Sequence, residues 1–259
     1  MRRASNSGMV FAFMVAVSLL GVFGAGSSVN ADRQDDPGRD SKIDSLTVIG
    51  LTDEGRLVRF RADSPRRARD IGAISGLSGN DTALIGIDFR VQDGKLYGVG
   101  NGGGVYTIDT TTASAQLVNT VTVPLNGTVF GVDFNPAADR LRIISDTGQN
   151  LAHNVNAGGV TVANALLTYT APPATPAPAM GVTGAAYTNN DVAPAGGATA
   201  TTLFDVDTTM DQIVVQSPPG NGILVATGKL GFDAGPSAAF DIYSHVAGGV
   251  TVANTAFAT

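Results

Sequence analysis

A short pattern that recurs along the chain constrains its fold more than any other feature. Phe130 to Pro136 reads F-G-V-D-F-N-P, and Ile85 to Phe89 reads I-G-I-D-F, with 45 positions between the two aspartates. Weaker copies follow at Gly184 to Tyr187 and at Ala239 to Ile242. Such regular recurrence is typical of folds in which one supersecondary unit is repeated along the chain.

A second series of short apolar runs gives a similar interval. These runs end at Arg61, Asp109, Asn156 and Asp207, which are 48, 47 and 51 positions apart. A period of this length, made of several short strands, indicates the blade of a β-propeller. One four-stranded sheet cannot bury both of its faces alone, so neighbouring sheets pack face to face around an axis.

The sequence therefore predicts an all-β, β-propeller-like fold with about five repeat units of short antiparallel strands. The first four units are expected at residues 46–90, 91–136, 137–189 and 190–244, and an incomplete last unit follows from His245. Thr128 to Phe134 is expected to be the fourth strand of the second unit, because Asn135-Pro136 would end it. The 33 glycines between short β-branched and aromatic runs fit the many turns of such a fold.

The first 31 residues have the organisation of a signal peptide. Arg2 and Arg3 form a positive start, Met9 to Gly24 is apolar, and Val29 to Ala31 provides a cleavage site after Ala31. A membrane anchor is the alternative, but the apolar run is short for a span of about 20 residues. Paired arginines are also a feature of twin-arginine export signals, but the strongly apolar core favours the general secretion route. We therefore expect a secreted or extracytoplasmic protein.

Charge and cysteine content narrow the classes of partner. Cleavage would remove Arg2 and Arg3 and leave 14 basic against 22 acidic residues, a net charge of −8. Such a chain lacks the basic surface that nucleic acid or an anionic membrane requires, and no membrane span is expected after cleavage. The absence of cysteine excludes disulfides, thiolate metal sites and a lipoprotein anchor. Residues 32–44 are expected to be a charged flexible linker, and residues 45–259 a single domain.

Further motifs accompany the repeats: Leu96 to Val99, Val105 to Thr110, Gly231 to Asp233 and Phe240 to Tyr243. Together with the exported leader, these motifs resemble a bacterial family known as domain of unknown function 4394, from about residue 46 to the end. The resemblance implies a propeller-like exported domain and brings no established activity or catalytic residue. Family members continue beyond the positions of Thr255 to Thr259, so it also implies a missing C-terminal part.

No catalytic signature stands out. Gly98 to Gly103 fits G-x-G-x-x-G, but the next residues read as a strand, so a glycine-rich hairpin is expected and not a dinucleotide site. His153 and His245 are too few for a histidine-rich metal site, and neither H-E-x-x-H nor G-x-S-x-G is present. We therefore predict no catalytic and no cofactor-binding residue.

Five aspartates recur at related places in the units, and they leave the metal question open. Asp88, Asp133 and Asp241 form one series, and Asp109 and Asp207 form another. Carboxylates that converge from several blades could bind Ca²⁺, the one cofactor that these residues suggest. Ala186 interrupts the first series, however, and aspartate at a strand end commonly bonds its own backbone. The turn interpretation is preferred, and a shared site requires at least three of these carboxylates to meet.

Two functional hypotheses follow. The first, which we favour, is a secreted binding or scaffold module for an extracellular protein, a glycan or a small ligand, since the chain shows repeats without a catalytic constellation. The alternative is an extracellular hydrolase or lactonase-like enzyme that uses axial carboxylates and calcium. Convergence of the aspartates distinguishes the two, because the second hypothesis fails if the carboxylates point into separate turns.

Overall fold

The computed structural model describes residues 46–169, 177–191 and 200–259, together with the backbone of Val17–Ser18, which forms strand β1. Apart from these two residues, the predicted signal peptide and linker lie outside the described residues. Two short 3-10 helices, Pro65–Arg67 and Pro219–Asn221, accompany the strands. Across the described ranges, no helix has the length and apolar character needed to cross a membrane.

The first four sheets are antiparallel, and each is built from strands that are consecutive in the chain. The first sheet contains β2 (Thr47–Leu51), β3 (Arg56–Arg61) and β4 (Arg69–Ala73). The second contains β5 (Leu84–Phe89), β6 (Leu96–Gly100), β7 (Gly104–Ile108) and β8 (Ala115–Thr120). The third contains β9 (Phe130–Asn135), β10 (Arg140–Ser145), β11 (Asn150–His153) and β12 (Thr161–Ala163). The fourth contains β13 (Val182–Tyr187), β14 (Leu203–Asp207), β15 (Gln212–Gln216) and β16 (Leu224–Lys229).

These four sheets are arranged like the blades of a propeller, which confirms the all-β, propeller-like prediction. A further sheet follows, formed by β17 (Phe240–Ala247) and β18 (Val250–Ala258), with β1 paired to the other edge of β18. The number of about five repeat units stays a prediction.

The first strands of successive sheets lie side by side. β5 packs on β9, β9 on β13, and β13 on β17, without backbone pairing between them. We call these four the inner strands. From each of the first three, a four-stranded sheet extends to an outer strand, which is β8, β12 or β16.

The position of β9 corrects the prediction that Thr128 to Phe134 is the fourth strand of a unit. β9 opens the third sheet and pairs with β10, so Pro136 lies within the turn that joins them. The side-chain oxygen of Asn135 accepts the N–H groups of Ala137 at 3.0 Å and Ala138 at 2.8 Å, which closes this turn. Proline suits the second position of such a turn and removes no ladder donor there. The predicted boundary between units at residue 136 is therefore wrong, because it assigns β9 to the second unit although β9 belongs to the third sheet.

A glycine two residues before the repeat aspartate lets inner strands approach closely. A Cβ on Gly86 would lie 2.5 Å from Cγ2 of Val132, and one on Gly131 would lie 2.8 Å from the backbone nitrogen of Ala185. At the corresponding Gly184, a Cβ would lie 2.8 Å from a side-chain carbon of β17. Each of these contacts is with the next inner strand. The glycine of the repeat is therefore a packing requirement between blades.

Apolar side chains fill the spaces between consecutive sheets. Tyr97 and Phe134 meet edge to face between the second and third sheets, with ring centroids 5.2 Å apart. Ile144 of the third sheet packs with Tyr187 of the fourth, and Leu57 of the first packs with residues of the second. The core is therefore divided into layers, each shared by two sheets, as expected for face-to-face blades.

Replacement of Gly131 by Ala tests the close approach of the inner strands. The added methyl group would press on backbone of β13, so we expect the free energy of unfolding to fall by about 1–3 kcal/mol. Urea denaturation would measure the change. Gly228→Ala in β16 is the matched control, because no atom lies within 4 Å of its Cβ position. Equal stabilities of the two variants would contradict this packing.

Candidate functional site

The repeat aspartates connect inner strands that share no backbone pairing. Oδ2 of Asp88 accepts the N–H of Phe134 at 2.7 Å, and Oδ1 of Asp133 accepts the N–H of Tyr187 at 2.9 Å. The position of the repeat aspartate in each inner strand is here called the repeat position. In both cases the carboxylate accepts the N–H of the residue that directly follows the repeat position of the next inner strand. We call this contact the cross-blade aspartate bond.

β5 and β17 are the two inner strands that receive no cross-blade aspartate bond, because no described aspartate lies at the corresponding position of a preceding inner strand. Ala186 occupies the repeat position of β13 and offers no carboxylate, and the N–H of Ile242 in β17 bonds the carboxylate of its own neighbour Asp241. The N–H of Phe89 likewise donates to Oδ1 of Asp88, at 2.7 Å. These backbone donors therefore take a local carboxylate when the preceding inner strand supplies none.

Three of the five predicted aspartates converge. Asp88, Asp133 and Asp241 each offer a carboxylate oxygen, and these oxygens all lie within 4.8 Å of one another. Asp133 is buried, Asp88 is half-buried and Asp241 is exposed. We call these residues the axial carboxylate cluster. The convergence meets the condition for a shared site, while Asp88 and Asp241 also accept the N–H of their own neighbours, Phe89 and Ile242. Ala186 interrupts the series in sequence, but the packing of the inner strands still brings the other three together.

The other two aspartates have the turn role that was preferred for them. Oδ1 of Asp109 accepts the N–H groups two and three residues later, at 2.7 and 3.0 Å. Oδ1 of Asp207 does the same at 2.9 and 2.8 Å. Both residues follow or end a strand and shape the turn after it. They belong to the scaffold and not to the cluster.

The cluster is electrostatically strained. Burial raises the pKa of Asp88 and of Asp133 well above the usual range of a carboxyl group, and neighbouring carboxylates raise both further. Backbone N–H donors oppose these shifts without cancelling them. Desolvation raises the pKa of Asp241 as well, and the N–H of Ile242 opposes this shift. Like charges at this separation disfavour full ionisation, so protons or a cation must balance them.

A second polar group lies between the third and fourth sheets, and sequence reasoning missed it. Arg142 donates to Oη of Tyr187 at 3.2 Å and to Oδ1 of Asn150 and of Asn164, both at 2.7 Å. Asp205 is fully buried, and neither of its carboxylate oxygens has a hydrogen-bond partner among the described residues. Burial raises the pKa of Asp205 well above its usual range, against the charge of Arg142.

One sequence signal could have found this group. In the strand L-F-D-V-D, alternation places Asp205 on the same buried face as Leu203 and Asp207. A charged residue at such a position needs a partner on the facing sheet. Asp205 also raises the pKa of Asp133, so this group and the cluster influence each other.

The histidines lie on strands and make local polar contacts, and the glycine-rich segment forms a hairpin. His153 is buried, with its ring nitrogens 2.9 Å from Oγ1 of Thr161 and 3.0 Å from Oδ1 of Asn119, and burial lowers its pKa. His245 contacts Oγ1 of Thr255 at 3.0 Å. Gly98 to Gly100 end β6 and residues 101–103 form the turn to β7, which confirms the predicted glycine-rich hairpin.

Stability should fall as the pH rises, because the cluster carboxyls are more basic in the folded state. A carboxyl with a raised folded pKa favours the folded state below its unfolded pKa of about 3.9, and that advantage is lost as the pH climbs toward the folded pKa. Asp133→Asn should flatten this fall and stabilise the protein at pH 8, because the amide keeps an oxygen acceptor for the N–H of Tyr187 and cannot ionise. Urea denaturation in EDTA between pH 4.5 and pH 8.5 would measure the effect.

Asp109→Asn is the control for this measurement. Hydrogen bonds from Thr111 lower the pKa of Asp109, so its loss should not stabilise the protein at pH 8. A wild-type stability that rises steadily across the same range, with Asp133→Asn destabilised at every pH, would contradict the proposed electrostatics.

Several solved structures show a weak likeness to this chain. An auxiliary nutrient binding protein from Bacteroides ovatus ATCC 8483 aligns with 69% of this chain and 46% of its own, at 13% identity and a TM-score of 0.41. One from Bacteroides thetaiotaomicron VPI-5482 aligns with 70% and 44%, at 13% identity and a TM-score of 0.39. A structure described as a putative phosphatase from the same strain aligns with 70% of this chain and 44% of its own, at 13% identity and a TM-score of 0.41. The chain spans less than half the length of these proteins, and at these TM-scores the likeness carries no functional conclusion.

Sequence comparison is more direct. No curated protein matches the chain. The sequence profile of one family matches residues 56–259, a range that begins at β3 and includes all three cluster aspartates. The chain therefore belongs to the family described as domain of unknown function (DUF4394), as its repeated motifs indicated.

Proposed function

We propose that the protein is a secreted binding or scaffold module with a cation site at its axial carboxylate cluster. The convergence of Asp88, Asp133 and Asp241 is the observation that supports the cation site. Export to an extracytoplasmic location is proposed from the signal-peptide pattern of residues 1–31. The ligand of the module would be an extracellular protein, a glycan or a small molecule.

The donor set of the cluster suits calcium better than a transition metal. All three side chains offer carboxylate oxygens, which are the hard ligands that Ca²⁺ prefers. Their separation of up to 4.8 Å agrees with ligands at about 2.3–2.6 Å from a shared ion, which then lies between them. The raised pKa values add a driving force, because a bound cation relieves the repulsion that burial makes costly. Affinity should increase with pH as the carboxyls lose their protons.

Calcium titration of the purified protein tests the proposal. Isothermal titration at pH 7.5 should show binding of one ion, and the affinity should weaken toward pH 5. At a calcium concentration a hundredfold above the dissociation constant, the free energy of unfolding should rise by about 2.7 kcal/mol. Mg²⁺ should bind more weakly, since it demands a tighter octahedral geometry.

Two variants distinguish calcium binding at the cluster from nonspecific binding to an acidic protein. Asp133→Asn should abolish the calcium effect, whereas Asp109→Asn, which alters a turn carboxylate, should leave it unchanged. Absence of binding in the wild type at millimolar calcium would refute the cation site, as would equal binding by both variants.

A hydrolase or lactonase-like enzyme is the second candidate, and the same convergence favours it. Carboxylates held around a cation can bind a substrate carbonyl and orient a water molecule for attack. In that case, calcium-dependent hydrolysis of a lactone or chromogenic ester should disappear in Asp133→Asn and persist in Asp109→Asn. Calcium binding without turnover across such a panel would leave the binding module as the surviving hypothesis.

A further inference from the structure

The basic residues are unevenly distributed along the chain. Residues 46–75, which contain the first sheet, carry six arginines and four acidic residues, a local charge of +2. Residues 76–259 carry five basic and 13 acidic residues, a charge of −8. The acidic net charge of the whole chain therefore conceals one sheet of the opposite sign.

Five of these arginines are exposed and lie at one end of the first sheet: Arg59, Arg61, Arg66, Arg67 and Arg69. We call them the arginine patch. Arg59 and Arg61 are two residues apart on β3, so they share a face of the sheet and lie about 7 Å apart along the strand. Arg66 and Arg67 belong to the 3-10 helix that joins β3 to β4, and Arg69 begins β4.

The apolar packing between the first and second sheets ends where the patch begins. Leu57 shares the face of Arg59 and is buried against the second sheet. Arg59 is exposed, and its Nη2 donates to the carbonyl oxygen of Thr110 at 3.0 Å, in the turn that follows β7. This bond holds the guanidinium at the rim of the apolar layer and leaves its charge uncompensated.

Two arginines of the patch lie directly opposite each other. Arg59 of β3 is the cross-strand partner of Arg69 of β4, so their Cβ atoms are about 4.5–5.5 Å apart, and like charges in such a pair destabilise a sheet. Within the described residues, neither of them forms an ion pair, nor does Arg67, whereas Arg61 pairs with Asp63 at 3.0 Å. A negative group bound between Arg59 and Arg69 would relieve this repulsion.

The chemistry and the extent of the patch limit the class of ligand. Guanidinium groups bind carboxylate, sulfate and phosphate through paired N–H donors. Phe60 points to the opposite face of β3, because side chains alternate along a strand, so the patch offers no aromatic surface on which unpaired bases could stack. A nucleic acid duplex or a bilayer would extend from the patch over the acidic sheets and be repelled.

A narrow polysaccharide with closely spaced anionic groups meets neither obstacle. It needs no stacking surface, and it can follow the patch without covering the acidic sheets. Short runs rich in arginine, such as residues 65–70, are typical of surfaces that bind heparin.

We infer that the arginine patch binds a linear acidic polysaccharide that carries sulfate and carboxylate groups. Arg59 and Arg69 would hold one anionic group between them, and Arg66 and Arg67 would contact the next group along the polysaccharide. The inference rests on the proposed binding module, whose ligand it names. It does not depend on the cation site, because the cluster aspartates lie on β5, β9 and β17 and the patch lies on the first sheet.

A heparin oligosaccharide is the probe, and a neutral dextran oligosaccharide is the comparison. The purified protein retains residues 32–44, so the charged segment before the domain can compete for the patch, and EDTA removes calcium from the experiment. Isothermal titration at about 50 mM salt should show saturable heparin binding, which should weaken about tenfold or more by about 200 mM salt. Dextran should not bind. Oligogalacturonate, which carries carboxylates alone, should bind more weakly than heparin.

Protein variants locate the binding. Arg59→Gln combined with Arg69→Gln should weaken heparin binding about tenfold or more. Lys95→Gln combined with Lys229→Gln removes the same charge from exposed positions outside the patch and should leave the affinity nearly unchanged. Arg69→Gln alone keeps the bond from Arg59 to Thr110 and should weaken binding about threefold, so the test remains decisive even if the double arginine variant does not fold.

Several results would overturn the inference. Absence of heparin binding at low salt would do so, and it would leave the cation site intact if calcium titration succeeds. Equal losses in the two double variants, or tighter binding of single-stranded DNA of the same length, would also contradict it. A dimer that forms at low salt and is lost in the double arginine variant would assign the patch to the acidic surface of a second copy of this chain.

Discussion

Neighbouring inner strands of this fold lie against each other without sharing a backbone ladder, and the cross-blade aspartate bond connects them. Asp88 reaches β9 and Asp133 reaches β13, each through an N–H that no sheet bond uses. A hydrogen bond of this kind contributes about 0.5–1.5 kcal/mol net, and leaving its buried N–H donor unpaired would cost about 1–3 kcal/mol. The glycine two residues earlier makes the bond geometrically feasible by removing the Cβ that would hold the strands apart. The glycine and the aspartate of the repeated G-x-D therefore act together: the glycine allows the close approach, and the aspartate forms the bond to the next inner strand.

The same interaction creates the electrostatic problem at the centre of the molecule. Each aspartate that faces the next inner strand also comes close to the other aspartates, and three carboxylates meet within 4.8 Å. Burial and the neighbouring carboxylates raise the pKa of Asp88 and of Asp133, which favours bound protons or a bound cation at the cluster. Asp205, which is buried and whose pKa shift Arg142 opposes, raises the pKa of Asp133 further. A structural device for joining blades thus also produces a binding site for a positive ion.

Much of the architecture followed from periodicity, because short strands at a regular interval leave few arrangements other than stacked sheets. The phase of the repeat was wrong, since Pro136 suggests a strand end when read locally but sits in a turn that Asn135 closes. The sequence left the carboxylate cluster open, because Ala186 interrupts the series and a linear series cannot show that side chains from nonadjacent inner strands meet in space. Turn roles for Asp109 and Asp207 were predictable, since their partners are two and three residues away. The contact between Arg59 and Arg69 depends on the register of β3 and β4, and no local sequence pattern reports that.

The central claim is that the axial carboxylate cluster binds a divalent cation. Crystals grown at pH 7.5 with calcium, with diffraction measured at a wavelength that reveals anomalous scattering from the ion, would test it directly. The account predicts one anomalous peak at about 2.3–2.6 Å from carboxylate oxygens of Asp88, Asp133 and Asp241, and its loss in crystals of Asp133→Asn. Carboxylates that point apart, or that stay together around ordered water with no anomalous peak at millimolar calcium, would contradict it.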